Sequence, residues 1–129
     1  MEFRDNEAIY LQIAAHVSDN ILTGKWQAEQ KIPSVRDLAI ELQVNPNTVM
    51  RSYELLQSQQ VIYNKRGLGF FVSPEADKMV NVFKKERFLQ QELPEFFKTI
   101  SLLGIDLGEI EKRYKQYLST HKTNNNENK

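Results

Sequence analysis

The sequence predicts a mostly α-helical protein with one small β-hairpin. Three helices and the hairpin come first, and a short all-helical region follows. Apolar residues recur every three or four positions up to Ser58, the period of helices packed on one face. Two β-prone triplets, Val61-Ile62-Tyr63 and Phe70-Phe71-Val72, then flank a loop containing Gly67 and Gly69. Helical periodicity resumes after Ser73-Pro74 and lasts to Thr120.

The first helix covers about residues 7–22, with Ile9, Ile13, Val17 and Ile21 on one face and Gly24 placed to end it. In the connection KWQAEQKIPS, Trp26 and Ile32 are expected to fold back on the core. Ser34 has the position of an N-cap, and Asp37 three residues on completes a capping-box pattern. Val35, Leu38, Ala39 and Leu42 then mark a short second helix. Asn45 before Pro46 is another start signal, an Asx cap with proline at the first helical position. The third helix runs from Pro46 to about Ser58 and buries Val49, Tyr53 and Leu56. At roughly 100° per residue, Asn47, Thr48, Arg51 and Glu54 fall on its other side.

After the hairpin, Met79, Val82, Phe83, Leu89 and Leu93 trace an apolar stripe interrupted by Glu86. Pro94 should break or restart the helix. Phe96, Phe97, Ile100 and Leu103 mark further turns closed by Gly104. Asp106 and Glu109 give a capping-box pattern for a last helix carrying Leu107, Ile110, Tyr114 and Tyr117. The tail HKTNNNENK has no apolar residue and is expected to be disordered. The chain therefore divides into residues 1–73, 74–120 and a tail, 121–129. The aromatic residues of the second part read as a helix-packing interface, with a small-ligand pocket between the helices as the alternative.

Composition excludes several classes of function. With 129 residues, 40% apolar and 26% charged, the chain is of ordinary globular type. It holds no apolar run near the roughly 18 residues a membrane span needs, and its N-terminus has no signal-like apolar stretch. A cytoplasmic protein without a membrane partner is the expectation. Cysteine is absent, and His16 and His121 are dispersed, so no metal cluster is expected. No nucleophile–base pair or phosphate cradle stands out, so neither a catalytic site nor a cofactor is expected. Net charge is zero, yet from Gln43 to Phe70 Arg51, Lys65 and Arg66 stand against Glu54 alone. That local excess permits a phosphate-binding surface.

Two helices joined by a tight turn, the second exposing polar groups at its start, are the ingredients of a helix-turn-helix. A B-DNA major groove admits one helix, so residues reaching base edges cluster near its inserted end. Asn pairs with adenine, Arg with guanine, and Thr bonds a base or packs its methyl on thymine. A helix N-terminus also offers free N–H groups to phosphate. A basic hairpin with glycines lets backbone approach a neighbouring strand closely.

The segments YLQIAAHVSDNILTGKW, KIPSVRDLAIELQVNPNTVMRSYELLQ and GLGFFV resemble the GntR family of bacterial transcription regulators. The resemblance covers about Tyr10 to Val72 and rests on three motifs in order. It implies a winged helix-turn-helix, a homodimer and an approximately palindromic double-stranded DNA operator, most simply for repression. Carried onto this chain, it places Ser34 and Arg36 of the PSVR motif at the DNA. Asn45, Asn47, Thr48 and Arg51 fall in the recognition helix, and Lys65, Arg66, Gly67 and Gly69 in the wing. The region carrying LGIDLGEIEK resembles the small helical dimerisation region of the YtrA subfamily, with an unknown small-molecule effector possible. Met79, Val82, Phe83, Leu89, Phe96, Phe97, Ile100, Leu103, Ile110, Tyr114 and Tyr117 then form the dimerisation surface. Two departures stand out. Gln60 replaces the family's glycine before the wing, and Phe70 replaces the threonine of GxGTFV, with one fewer hydroxyl for phosphate. Two readings from other classes remain: a winged helix serving protein interaction without operator binding, and a helical module sensing a metabolite.

Overall fold

A computed structural model describes residues 1–127, with side chains as far as His121. The helices are α1 (Ile9–Leu22), α2 (Val35–Leu42), α3 (Pro46–Ser58), α4 (Ala76–Arg87), α5 (Leu93–Leu103) and α6 (Leu107–Glu127). The strands β1 (Ile62–Lys65) and β2 (Gly69–Val72) lie between α3 and α4, and a π-helical turn, Phe88–Glu92, joins α4 to α5. The helix starts follow the local chemistry. Ser34 Oγ accepts a hydrogen bond from the Asp37 N–H at 3.0 Å, and Asn45 Oδ1 accepts one from the Asn47 N–H at 2.8 Å. Each satisfies a backbone donor that a helix start leaves free.

The apolar faces of α1, α2 and α3 meet in one core with the hairpin. Ile13, Val17, Leu38, Val49, Tyr53, Leu56, Val61, Ile62 and Val72 are essentially solvent-free there. Trp26 and Ile32 fold back onto this core as expected. The strands pair antiparallel, with Ile62 opposite Val72 and Lys65 opposite Gly69. The connection before α2 also pairs with β2: the Ile32 N–H donates to the Phe70 carbonyl and the Val72 N–H to the Gln30 carbonyl, both at 3.0 Å. That pairing gives β2 neighbours on both sides and brings Lys31 opposite Phe71.

The first compact unit is Met1–Glu86, so the expected boundary at residue 73 moves into α4. Ala76 and Val80 are buried and Met79 packs on the same core, while Lys84 Nζ lies 3.8 Å from Asp19 Oδ1 on α1. Met79 was expected on the dimerisation surface; it instead helps close the first core. The physical reason is that α4 presents Ala76, Met79 and Val80 at helical spacing to the apolar ground left open beside the hairpin.

The second unit begins at Arg87. Pro94 falls where the π-helical turn passes into α5, and the wider turn accommodates a residue without an N–H inside a continuing helical run. Gly104 ends α5 in the left-handed conformation at φ 67°. Disorder was expected from His121, but α6 continues to Glu127. Residues 109–127 contain no proline or glycine to stop it, and Glu109–Arg113 at 2.8 Å and Glu111–Lys115 at 3.2 Å give favourable i,i+4 pairs. The last two residues of the expected tail, 128–129, lie outside the described ones. Among the described residues, no helix is long and apolar enough to cross a membrane.

Candidate nucleic-acid interface

On α3, Val49, Ser52, Tyr53 and Leu56 are buried. Asn47, Arg51 and Glu54 are therefore left in solvent, with Thr48 half-buried at the edge. Gln43 adopts a left-handed conformation, φ 58°, which turns the chain from α2 into the cap of α3. The first turn of α3 thus stands free with the side chains best suited to read base edges.

Buried contacts hold that helix in place. Ser52 Oγ donates to the Tyr10 carbonyl at 2.7 Å, fastening α3 to the start of α1. Tyr53 Oη donates to the Pro33 carbonyl at 2.7 Å, and its ring meets Phe70 edge-on at 5.0 Å. Tyr53 therefore joins the recognition helix, the PSVR motif and the wing. Burial, with a smaller contribution from the Glu41 charge, raises its phenol well above the ordinary range, so it stays a hydrogen-bond donor. The Arg51 guanidinium lies over the Tyr10 ring, 3.8 Å from its centre.

The wing carries a second set of cations. Lys65 Nζ lies 4.6 Å from the centre of the Phe71 ring, which stacks on Tyr63 at 5.8 Å. Arg66, Gly67 and Leu68 form the exposed tip. Gly69, at φ 113°, is needed for its backbone, and a β-carbon there would stand 3.2 Å from Lys31 Cε. Among the described residues, Lys31, Arg36, Arg51, Lys65 and Arg66 form no salt bridge, a state they share with Lys25, Lys85, Lys98 and Lys112; what sets them apart is their place on the helix pair and wing. Cations held without carboxylates remain available to phosphate.

Of the residues picked from sequence, Arg36, Asn47, Thr48 and Arg51 stand on the helix pair, and Lys65, Arg66, Gly67 and Gly69 on the wing, all within one compact unit. Ser34 and Asn45 have their side-chain oxygens engaged as helix caps. Tyr10, Lys31 and Ser52 belong to the site's surroundings without a sequence signal of their own. Tyr10 and Ser52 meet across 42 positions, and Lys31 reaches the wing only through the added strand pairing, so no local pattern marks them. Both departures from the family pattern find a place. Gln60 takes the left-handed conformation itself, φ 62°, and the Val61 N–H still closes on the Leu56 carbonyl at 2.9 Å. Phe70 faces the core, where it packs on Tyr53, so its position is structural.

In the second unit, Leu89, Phe96, Phe97, Leu103, Tyr114 and Tyr117 are exposed, while Ile100 and Ile110 are half-buried. Val82 itself is exposed and Phe83 half-buried on α4, in the first unit. Among the described residues, no group of three or more His, Asp or Glu is placed to hold a metal ion.

A recognition helix freed at its N-terminus, a supporting helix and a basic β-wing define a winged helix-turn-helix, a DNA-binding module of transcription regulators. The chain belongs to the gntR family of bacterial regulatory proteins, whose family model matches residues 9–72. It is 30% identical over 113 residues to the transcriptional repressor YtrA of Bacillus subtilis, covering 88% of this chain and 86% of YtrA. A GntR-family protein from Bacteroides thetaiotaomicron has a similar crystal structure, with a TM-score of 0.76 and 51% identity over 88% of this chain and 99% of that one. The DNA-binding domain of AraR, solved in complex with operator ORR3, has a TM-score of 0.51 and 32% identity over 57% of this chain and 86% of that one.

Proposed function

We propose that this regulator acts in the cytoplasm as a homodimeric repressor of an inverted-repeat operator. The observation that carries the DNA-reading part is the exposed start of α3, with Asn47, Thr48 and Arg51 beside cations that have no carboxylate partner among the described residues. In this reading Asn47, Thr48 and Arg51 enter the major groove. Arg36, Lys65 and Arg66 engage phosphates, and the glycines Gly67 and Gly69 bring the wing backbone close. The likeness to AraR in its operator complex supports a duplex as the partner, and the likeness to YtrA supports repression.

Dimerisation is supported by the state of the second unit. Neither the π turn nor α5 buries a single residue, while Phe96, Phe97, Leu103, Tyr114 and Tyr117 are 41–68% exposed. An apolar surface of that kind calls for a partner, and a second copy sets two recognition helices about 34 Å apart on one DNA face. A metabolite-sensing role has weaker support: the open cleft of about 480 Å³ in this unit runs along Gly108, Glu111, Lys112, Lys115, Gln116 and Ser119, away from the aromatic residues. Selection from a random duplex pool with the purified protein tests the reading. Enrichment of an inverted repeat is expected. Weak general binding without an enriched sequence would overturn it.

A further inference from the structure

Arg51 is the longest base-reading candidate on α3, and a free arginine of that length samples many rotamers. In the structure it is not free. Its guanidinium rests on the face of the Tyr10 ring, 3.8 Å from the centre. A guanidinium held over a ring by its central carbon is attracted there without using up its N–H donors, which stay available to a base edge. The backbone that carries the ring is fixed. The Tyr10 carbonyl accepts from Ser52 Oγ at 2.7 Å, and Ser52 is the residue next to Arg51 on α3. The N-terminal arm ahead of the ring is tied down as well. The Gln12 side chain is buried and donates to the Arg4 and Glu7 carbonyls at 2.7 and 2.8 Å, while accepting from the Arg4 N–H at 2.7 Å.

Resting on the reading of Arg51 as a base contact, we propose that Tyr10 is a specificity-determining positioning residue: its ring holds the Arg51 guanidinium in the orientation that reads one base pair of each half-site. Tyr10 touches no base in this arrangement. It acts by removing rotamers that would let Arg51 swing to a phosphate or accept another base, so its loss lowers discrimination more than total affinity. α1 thereby takes part in sequence choice.

The test uses the full chain, an enriched inverted-repeat duplex and single-base-pair variants of it at every half-site position. Arg51→Ala locates the position that Arg51 reads. Tyr10→Leu is expected to lower discrimination at that position alone by roughly 2- to 5-fold, the equilibrium equivalent of an exposed cation–π contact. Tyr10→Phe keeps a ring and should retain the wild-type preference. In the Arg51→Ala background, Tyr10→Leu should change nothing further at that position. Equal loss at all positions in Tyr10→Leu, or no loss, would overturn the proposal while leaving Arg51 as a reader. If Arg51→Ala leaves every preference intact, Arg51 reads no base and the proposal falls with it. Thermal melts of Tyr10→Leu and Tyr10→Phe separate a folding defect, which lowers the active fraction for all duplexes alike, from a change of selectivity.

Discussion

Arg51 and Arg66 are both exposed cations without a salt bridge among the described residues, yet they stand on different surfaces. Arg51 lies on the exposed face of α3 with Asn47, the face that enters the groove in the proposed docking, whereas Arg66 is at the tip of the wing turn. Arg51→Ala is therefore expected to cost about 1–3 kcal/mol at one half-site position and relax the base preference there. Arg66→Ala should weaken binding to all duplexes alike and lower the salt slope by about one. Titrations on matched and mismatched duplexes at several salt concentrations distinguish them; identical losses on every duplex would reverse these roles. Gln60 gives a prediction of stability rather than binding. Its left-handed backbone at φ 62° suits glycine, so Gln60→Gly should stabilise the protein by about 0.5–1 kcal/mol in urea unfolding, the relief of strain exceeding the added chain entropy.

At the level of elements, the caps and the wing make separable contributions. Asn45 satisfies the Asn47 N–H, so Asn45→Ala should cost about 1 kcal/mol of stability and leave base preference unchanged in the same duplex series. Phe70→Thr restores the family's wing residue but removes the edge-on contact with Tyr53, and should destabilise the protein by about 2 kcal/mol without strengthening DNA binding. Elements whose signals are local were readable from the sequence. Ser34, Asn45-Pro46 and Gly104 mark helix ends by their own chemistry, and the period of Val49, Tyr53 and Leu56 gives the buried face of α3. What could not be read depends on distant partners. The strand-like pairing of residues 29–32 has no alternating pattern, and Met79 belongs to the first core only because α4 folds back on it. The continuation of α6 lacks any apolar face, so its helicity is invisible to a pattern of burial. The same holds for the candidate site. Its exposed cations and amides could be listed from α3 and the wing, but the Tyr10–Arg51 stack arises only when α1 and α3 pack.

For the whole molecule, net charge is zero, so long-range attraction to DNA cannot come from the sum of charges. It must come from where the charges stand, with Arg51, Lys65 and Arg66 against Glu54 alone between Gln43 and Phe70. Salt dependence should accordingly reflect a few phosphate contacts, each adding roughly 0.9 to the slope for duplex DNA. Division into two compact units at Glu86 makes the second global prediction. A chain ending at residue 86 keeps Ala76, Met79 and Val80 on the first core and should fold, as a monomer, with weakened operator binding. One ending at residue 73 removes Ala76, Met79 and Val80 from the core and opens the apolar surface they cover to water. It should lose several kcal/mol of stability, at roughly 1.5–3 kcal/mol for each large apolar side chain re-exposed. Sedimentation velocity reads the assembly state, and urea unfolding reads the fold. A dimeric 1–86 fragment would move the dimer contact into the winged module. A fully stable 1–73 fragment would show that α4 is not needed to complete the core. The expected pair of results, a folded monomer at 86 and an unstable fragment at 73, would separate the two tasks of the C-terminal half: α4 finishing the reading head, and the helices after Arg87 joining two such heads at a spacing one helical turn of DNA requires.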